Sequence, residues 1–247
     1  MELATLERVS VSREFVIFVS LWLMAMAPVH GQAFSDFTTP LPLKPGNTLV
    51  IGFLGGWEHW DDENRGVRKL ALKLRRVPGV FVETIGNHRE RLAIELIRKA
   101  LDWNRNGVLD PEERAGARII LYGQSLGGAA VVKLARELAA LGIPVLVTVQ
   151  IDSVGYADGV IPANVRAAAN LFQHDGPPIV GRGSIRAADP SRTRILGNFQ
   201  YRYWFRNVDM SSATWVRKTL GGAHARMEQD PKVWARVEGF IRDAIPQ

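Results

Sequence analysis

The chain has 247 residues, 47% of them hydrophobic and 23% charged. That is enough apolar mass for one buried core and too ordinary a charge content for a disordered chain. The absence of cysteine excludes disulfides, thiolate metal sites and a cysteine nucleophile. The formal net charge of +6 raises nucleic acid as a partner, but the basic residues interleave with apolar ones, as in RGVRKLALKLRR. They read as a solvated helix face, so no nucleic-acid partner is expected. An anionic surface or an acidic substrate stays open.

Taken in chain order, the first feature is an apolar run, Phe15 to Val29, followed by HGQAFSDF. It is short for a membrane span, which needs about 20 residues. Small residues behind it suit signal peptidase, with cleavage after Gly31 or after Ala33. Arg8 and Arg13 precede the run, but Glu2, Glu7 and Glu14 offset them, so an uncleaved N-terminal membrane anchor is the alternative. The reading is a signal peptide over 1–33, a secreted or periplasmic protein, and no stable membrane span after cleavage. Residues 34–247 form the folded domain.

The domain alternates strand-like and helix-like segments. NTLVIGFLGG (Asn47–Gly56) is a strand running into a glycine turn. Arg65–Arg76 has helical apolar spacing. Gly79–Gly86 reads as a second strand and His88–Leu101 as a second helix. Ala117–Gly123 is a buried strand, Leu126–Leu141 a helix and Ile143–Asp152 a strand. Val165–Gln173 and Thr193–Tyr201 read as further strands. Gly176–Pro190 reads as a loop, and Pro231–Ile245 as a closing amphipathic helix. Such alternation predicts an α/β fold with a mostly parallel sheet flanked by helices.

RIILYGQSLGGAAVVKLAREL places a Gly-x-Ser-x-Gly turn between a β-branched strand and a helix. That is the context a nucleophile elbow requires. Ser125 would be exposed on a strained turn, with Gly123 and Gly127 allowing close packing and free helix N–H groups behind it. On these residues the chain, from about Thr48 onward, resembles the α/β-hydrolase superfamily in its small lipase- and thioesterase-like branch. The resemblance implies nucleophile, acid and histidine in that chain order. Asp152 then stands at the end of the next strand as the acid, and His224, in a loop before the last helix, as the base. Asp175 is the competing acid, because it follows the commoner acid strand, with Asp209 and Asp158 behind it. His174 is the competing base. His59 and His88 read as packing or helix-start residues, and His30 falls in the signal segment. Trp57, Trp60 and Trp204 are candidate pocket walls or simple core.

Each role has a chemical reason. A serine hydroxyl needs a base to take its proton during attack. The imidazole needs a carboxylate to fix its tautomer and stabilise its positive charge. The oxyanion needs N–H donors, assigned to Leu126 and to Leu54 or Gly55. Only two strands precede the catalytic one, so the sheet is trimmed at one edge, and no insertion is long enough for a large lid. Both departures favour a small ester or thioester over a fat interface. The expected activity is a serine hydrolase acting through an acyl-enzyme, or an acyltransferase on the same triad. The alternative is a calcium-dependent binding or structural protein on a catalytically idle hydrolase fold.

DWNRNGVLDPEE fits the EF-hand-like loop template over 102–113 without a gap. Asp102, Asn104 and Asn106 would offer side-chain oxygens to calcium, Val108 its carbonyl, Asp110 a carboxylate through water, and Glu113 both carboxylate oxygens. Gly107 makes the bend. The expected calcium is structural. It would sit at the start of the nucleophile strand, about 17–20 Å from Ser125 if that strand has five or six residues.

Overall fold

A strand apolar on both faces can only be central, and TLVIGFL is such a segment. All of β1 (Thr48–Leu54) is buried. The computed structural model describes residues 31–56, 58–176 and 179–246. The apolar run at 15–29 and the signal-peptide reading built on it lie outside the described residues, and so does Trp57.

From β1 the chain continues through α1 (Gly66–Leu74), β2 (Val80–Gly86), α2 (Glu90–Leu101), α3 (Pro111–Ala115) and β3 (Ile119–Gln124). Then follow α4 (Leu126–Ala140), β4 (Val145–Ile151), β5 (Val160–Ile161), β6 (Val165–Gln173), β7 (Arg186–Ala187) and β8 (Arg194–Tyr201). Three helices close it: α5 (Trp215–Leu220), α6 (Gly222–Gln229) and α7 (Pro231–Ala244). Six strands form one sheet in the order β2-β1-β3-β4-β6-β8, parallel throughout. The two-residue strands β5 and β7 make a separate parallel ribbon.

The helices lie where their apolar faces require. Leu96, Ile97 and Ala100 of α2 join Val131, Leu134 and Leu138 of α4 on one side of the sheet. Leu70 and Leu74 of α1 join Val233, Val237 and Ile241 of α7 on the other. Parallel strands covered on both faces are mostly apolar and buried throughout, as β3 and β4 are, with Gln124, Thr148 and Gln150 as their buried polar residues. Among the described residues no long helical insertion covers the carboxyl edge of the strands. This is an α/β fold, a six-stranded parallel sheet flanked by helices on both faces, with no helical lid among the described residues.

The expected elements recur with boundaries shifted by one or two residues, and Val165–Gln173 recurs unchanged. The correction lies at the C-terminal end. His224 belongs to helix α6, not to a loop, and the loop 176–190 contains β7. GGAHARMEQ opens on two adjacent glycines, the second already the first residue of the helix, which reads as loop composition. Burial of Ala223 and Met227 on the α7 face of the sheet holds it helical instead.

The segment before β1 is part of the same compact unit, Gln32–Gln247. Gln32 Nε2 donates to Thr84 O at 2.9 Å. The buried Glu83 carboxylate accepts the Thr38 and Thr39 N–H groups, both at 2.8 Å, and pairs with Arg75 at 3.0 Å.

Candidate active site

Gln124 ends β3 and Leu126 begins α4, so one residue must reverse the chain. Ser125 does so at φ 58°, ψ −125°. A non-glycine residue there is strained, and strain of this kind is kept where surrounding packing holds it. The packing is close. A Cβ on Gly123 would lie 2.3 Å from Gly127 O, and one on Gly127 would lie 2.2 Å from Phe53 O. Only glycines let α4 start this near β1 and β3. Ser125 N–H donates to Ile151 O at 2.9 Å, which ties the turn to β4.

The next parallel strand carries Asp152, the expected acid, at its end. Asp152 follows β4 at φ +45° and is fully buried. Its Oδ1 accepts the Gln173 N–H at 3.0 Å. Its Oδ2 accepts the Gln173 side-chain amide at 3.0 Å and lies 2.6 Å from His224 Nδ1. A buried carboxylate needs such partners. Donation from Nδ1–H to Asp152 leaves Nε2 as the bare nitrogen, the tautomer a base requires. That nitrogen lies 3.2 Å from Gln124 Nε2, so the Gln124 amide, not the Ser125 hydroxyl, meets it. Among the described residues the Ser125 hydroxyl forms no hydrogen bond with His224.

Of the expected oxyanion donors, Leu126 opens α4 beside Ser125, and Leu54 is fully buried at the end of β1. Gly55 is packed against Ser125: a Cβ there would lie 2.9 Å from Ser125 Cβ and 2.7 Å from Gln124 Oε1. Its N–H donates to Glu58 Oε2 at 3.1 Å. Glu58 belongs to a buried ionic cluster. Its other oxygen pairs with Arg217 and lies 3.8 Å from Arg65. Arg217 also pairs with Glu228, one helical turn beyond His224. Burial pushes the Arg217 guanidinium below its ordinary value, and Glu58 opposes the shift. This cluster ties α5 and α6 to the turn after β1.

The competing candidates are engaged elsewhere. Asp175 accepts the Tyr203 N–H. His174 Nε2 lies 3.0 Å from Gly181 O. Asp158 accepts from Ser153 Oγ at 2.5 Å and pairs with Arg182. Asp209 caps Ser211 N at 2.8 Å. His59 pairs with Asp61 on the surface. His88 lines a groove of about 550 Å³ with Glu90 and Lys133, which includes none of Ser125, Asp152 and His224.

Three residues at the site escape sequence reasoning: Gln124, Gln173 and Glu58. Gln124 sits at the variable position of Gly-x-Ser-x-Gly, and Glu58 lies three residues past Gly55, so both carry a positional signal. Gln173 carries none, because only the β4–β6 pairing brings it to Asp152.

At the other end of β3, the 102–113 loop closes on itself. Gly107, at φ +80°, donates its N–H to Asp102 Oδ2 at 3.0 Å. Asn104 Oδ1 accepts Asn106 N–H at 2.9 Å, and Asn106 Oδ1 accepts Val108 N–H at 2.8 Å. Asn104 Nδ2 donates to Asp110 at 2.7 Å. The buried Glu113 accepts Trp103 N–H at 2.8 Å and Asp110 N–H at 2.9 Å. Asp102 Oδ1 is buried with no partner. Among the described residues no three His, Cys, Asp or Glu side chains converge as a metal-binding group.

No protein-family model matches the chain, and no curated protein matches it. Solved structures similar to it include a cutinase-like protein from Cryptococcus sp., 16% identical, covering 81% of this chain and 95% of that one, with a TM-score of 0.45. An esterase/lipase from an uncultured bacterium is 11% identical, covering 95% and 99%, with a TM-score of 0.41. A lidless α/β serine hydrolase from Xanthomonas campestris is 14% identical, covering 84% and 88%, with a TM-score of 0.39.

Proposed function

We propose that this protein is a serine hydrolase that cleaves a carboxylic ester or thioester through an acyl-enzyme, with Ser125, Asp152 and His224 as the triad. The observation that carries the reading is the 2.6 Å contact between Asp152 Oδ2 and His224 Nδ1 beside the strained Ser125 turn. Ser125 is itself buried, not exposed as its turn suggested, and a buried carboxylate that orients an imidazole next to a serine on a strained turn has the parts of a general-base relay.

In the proposed reaction, Ser125 Oγ attacks the carbonyl carbon and its proton passes to His224 Nε2. Asp152 stabilises the imidazolium. The oxyanion takes the N–H groups of Leu126 and Gly55, which requires the Glu58 carboxylate to leave Gly55. The intermediate then collapses, the C–O or C–S bond breaks, and His224 protonates the departing alcohol or thiol. Water, deprotonated by His224, attacks the acyl-serine and releases the acid. An alcohol in place of water gives the acyltransferase outcome. Hydrolysis of a short-chain p-nitrophenyl ester, with Ser125→Ala in parallel, tests the reading. Equal rates for the two proteins would overturn it.

One observation favours a second reading, an idle hydrolase fold used for calcium-dependent binding: His224 Nε2 meets Gln124, and Glu58 holds the Gly55 N–H. A fluorophosphonate probe separates the two, because an idle site leaves Ser125 unlabelled.

We further propose that the 102–113 loop holds a structural calcium ion. The orphaned, buried Asp102 Oδ1 supports this, as does the oxygen-only donor set. Asp102, Asn104, Asn106, Val108, Asp110 and Glu113 would hold the ion, and it would supply cross-linking of the crossover before β3, with no part in the reaction. Export to the periplasm or medium, with cleavage after Gly31, completes the proposal. Gln32 is hydrogen-bonded to Thr84 O in the folded unit, so cleavage there keeps this contact. N-terminal sequencing of exported protein would check it.

A further inference from the structure

The loop after β8 reads Arg202-Tyr203-Trp204-Phe205-Arg206. Its tyrosine is buried, and its hydroxyl donates to Asp230 at 2.9 Å. Arg206 holds the same carboxylate at 2.9 Å. The Tyr203 N–H is held by Asp175, and Arg226 donates to Tyr203 O at 3.1 Å. The loop is therefore pinned from four directions. Between the pins stand two adjacent aromatic side chains with almost no cover: Trp204 is 69% exposed and Phe205 is 104% exposed. Large apolar side chains held in water by a well-tied loop mark an interaction surface.

The surroundings of this pair define what it fits. Arg202, Arg206 and Lys232 line the same surface hollow as Trp204 and Phe205. Arg202 and Lys232 are exposed. Of the carboxylates the loop meets, Asp230 is paired with Arg206, and Asp175 accepts the Tyr203 N–H. The exposed side chains of this hollow are thus two aromatic rings and the two cations Arg202 and Lys232. The patch follows the carboxyl end of β8, on the same sheet edge as Ser125, Asp152 and the exposed Leu126. Trp215, 68% exposed, opens α5, whose Arg217 reaches Glu58 at that edge.

We infer that Trp204 and Phe205, with Arg202 and Lys232, form a docking patch for an anionic lipid surface. Aromatic rings settle at the membrane–water interface, where their bodies meet acyl chains, and cations beside them meet anionic headgroups. The chain's formal net charge of +6 has the complementary sign over the whole approach. A peptide groove would cover the two rings in part; here Trp204 and Phe205 are almost uncovered. Docking by this loop turns the carboxyl edge of the sheet toward the surface.

The test uses the unit from Gln32 onward, which contains both hydrophobic clusters of the fold, so that the apolar N-terminal run does not contribute. It carries Ser125→Ala, so the result is independent of the proposed hydrolysis. Sedimentation with large vesicles of 70% phosphatidylcholine and 30% phosphatidylserine in 100 mM salt is compared with pure phosphatidylcholine. Binding that is at least tenfold stronger on the anionic vesicles is the expected result. Trp204→Ser with Phe205→Ser should weaken it at least tenfold, and Arg202→Glu with Lys232→Glu should remove the preference for anionic lipid. Trp204 emission should shift to the blue on binding. Equal binding by the parent and the aromatic double variant, or none by either, overturns the proposal. A concentration-dependent dimer that the aromatic double variant abolishes, without vesicle binding, overturns it in favour of a second copy of this chain.

Discussion

The two ends of β3 are built in opposite ways. At its amino end, the 102–113 loop satisfies its polar groups locally. Gly107 reaches back five residues to Asp102, and Glu113 reaches back ten to Trp103. At its carboxyl end, Ser125 sits among contacts made across the whole chain: Asp152 to His224 spans 72 residues, and Gln124 to His224 spans 100. The first arrangement is a clasp that forms from one stretch of sequence. The second forms only when four strands and a C-terminal helix are all in place. Damage at the carboxyl end should therefore remove chemistry and spare stability, and damage at the amino end should do the reverse.

The largest expected effect breaks the carboxyl end alone. Ser125→Ala should lower kcat for a short ester by on the order of 10⁴–10⁶, as losses of triad members do, while thermal melting is unchanged or improved. The residue leaves a strained φ of 58° that alanine tolerates no better, so a large rise in stability is not expected. Asp152→Asn should cost about 10⁴ in kcat by presenting the wrong partner to Nδ1. A loss of tenfold or less for either variant, read by steady-state kinetics, would remove the triad from the mechanism.

Glu113→Ala breaks the other end. It strips the acceptor from the Trp103 and Asp110 N–H groups and empties a buried position. A loss of about 2–4 kcal/mol in urea unfolding follows from unsatisfied buried donors and a lost cap. Below the melting range kcat should stay within about twofold, since substrate never meets this loop. A kcat that falls in step with stability would show the two ends to be coupled through β3.

Glu58 sharpens the comparison, because it brings a carboxylate to the chemistry. Its Oε2 holds the Gly55 N–H beside Ser125. An oxyanion forming there meets a negative charge unless Glu58 swings away. Glu58→Gln should raise kcat about 3–10-fold by removing that repulsion. It should also cost about 1–2 kcal/mol, since Arg217 loses a buried charge partner. A fall in kcat would mean that Glu58 positions the turn instead of guarding it.

The same contrast explains what could be read from the sequence. Strands β1, β3 and β4 are apolar runs bounded by turn residues, and their parallel order follows from the alternation with helices. The serine turn is legible because its glycines are forced by contacts with Phe53 and Gly127. The choice between Asp152 and Asp175 was not legible. Both follow strands, and what separates them is Tyr203, two residues past β8, whose N–H Asp175 accepts. Nor was the helical state of His224, which depends on burial of Ala223 and Met227 against strands distant in sequence.

Calcium gives the smallest and most diagnostic effect. The loop already holds itself with protein groups, so an ion adds to a formed clasp and does not create one. Asp102 Oδ1, buried and unpartnered, is the group that gains most. With an affinity of about 0.5 mM, within the range of extracellular modules, 5 mM calcium stabilises the folded state by about 1.4 kcal/mol. In a domain of this size that is a rise of about 4 °C in melting temperature. Scans of the unit from Gln32 onward in 5 mM calcium and in EDTA measure it directly. Asp102→Asn should abolish the rise while leaving ester hydrolysis at 25 °C unchanged, because the lost carboxylate lies a whole strand away from Ser125. Identical melting in calcium and EDTA would leave the loop as a clasp and nothing more, and Asp102 Oδ1 would then be a buried oxygen without a partner in any state. A rise that persists in Asp102→Asn would place the ion elsewhere in the molecule.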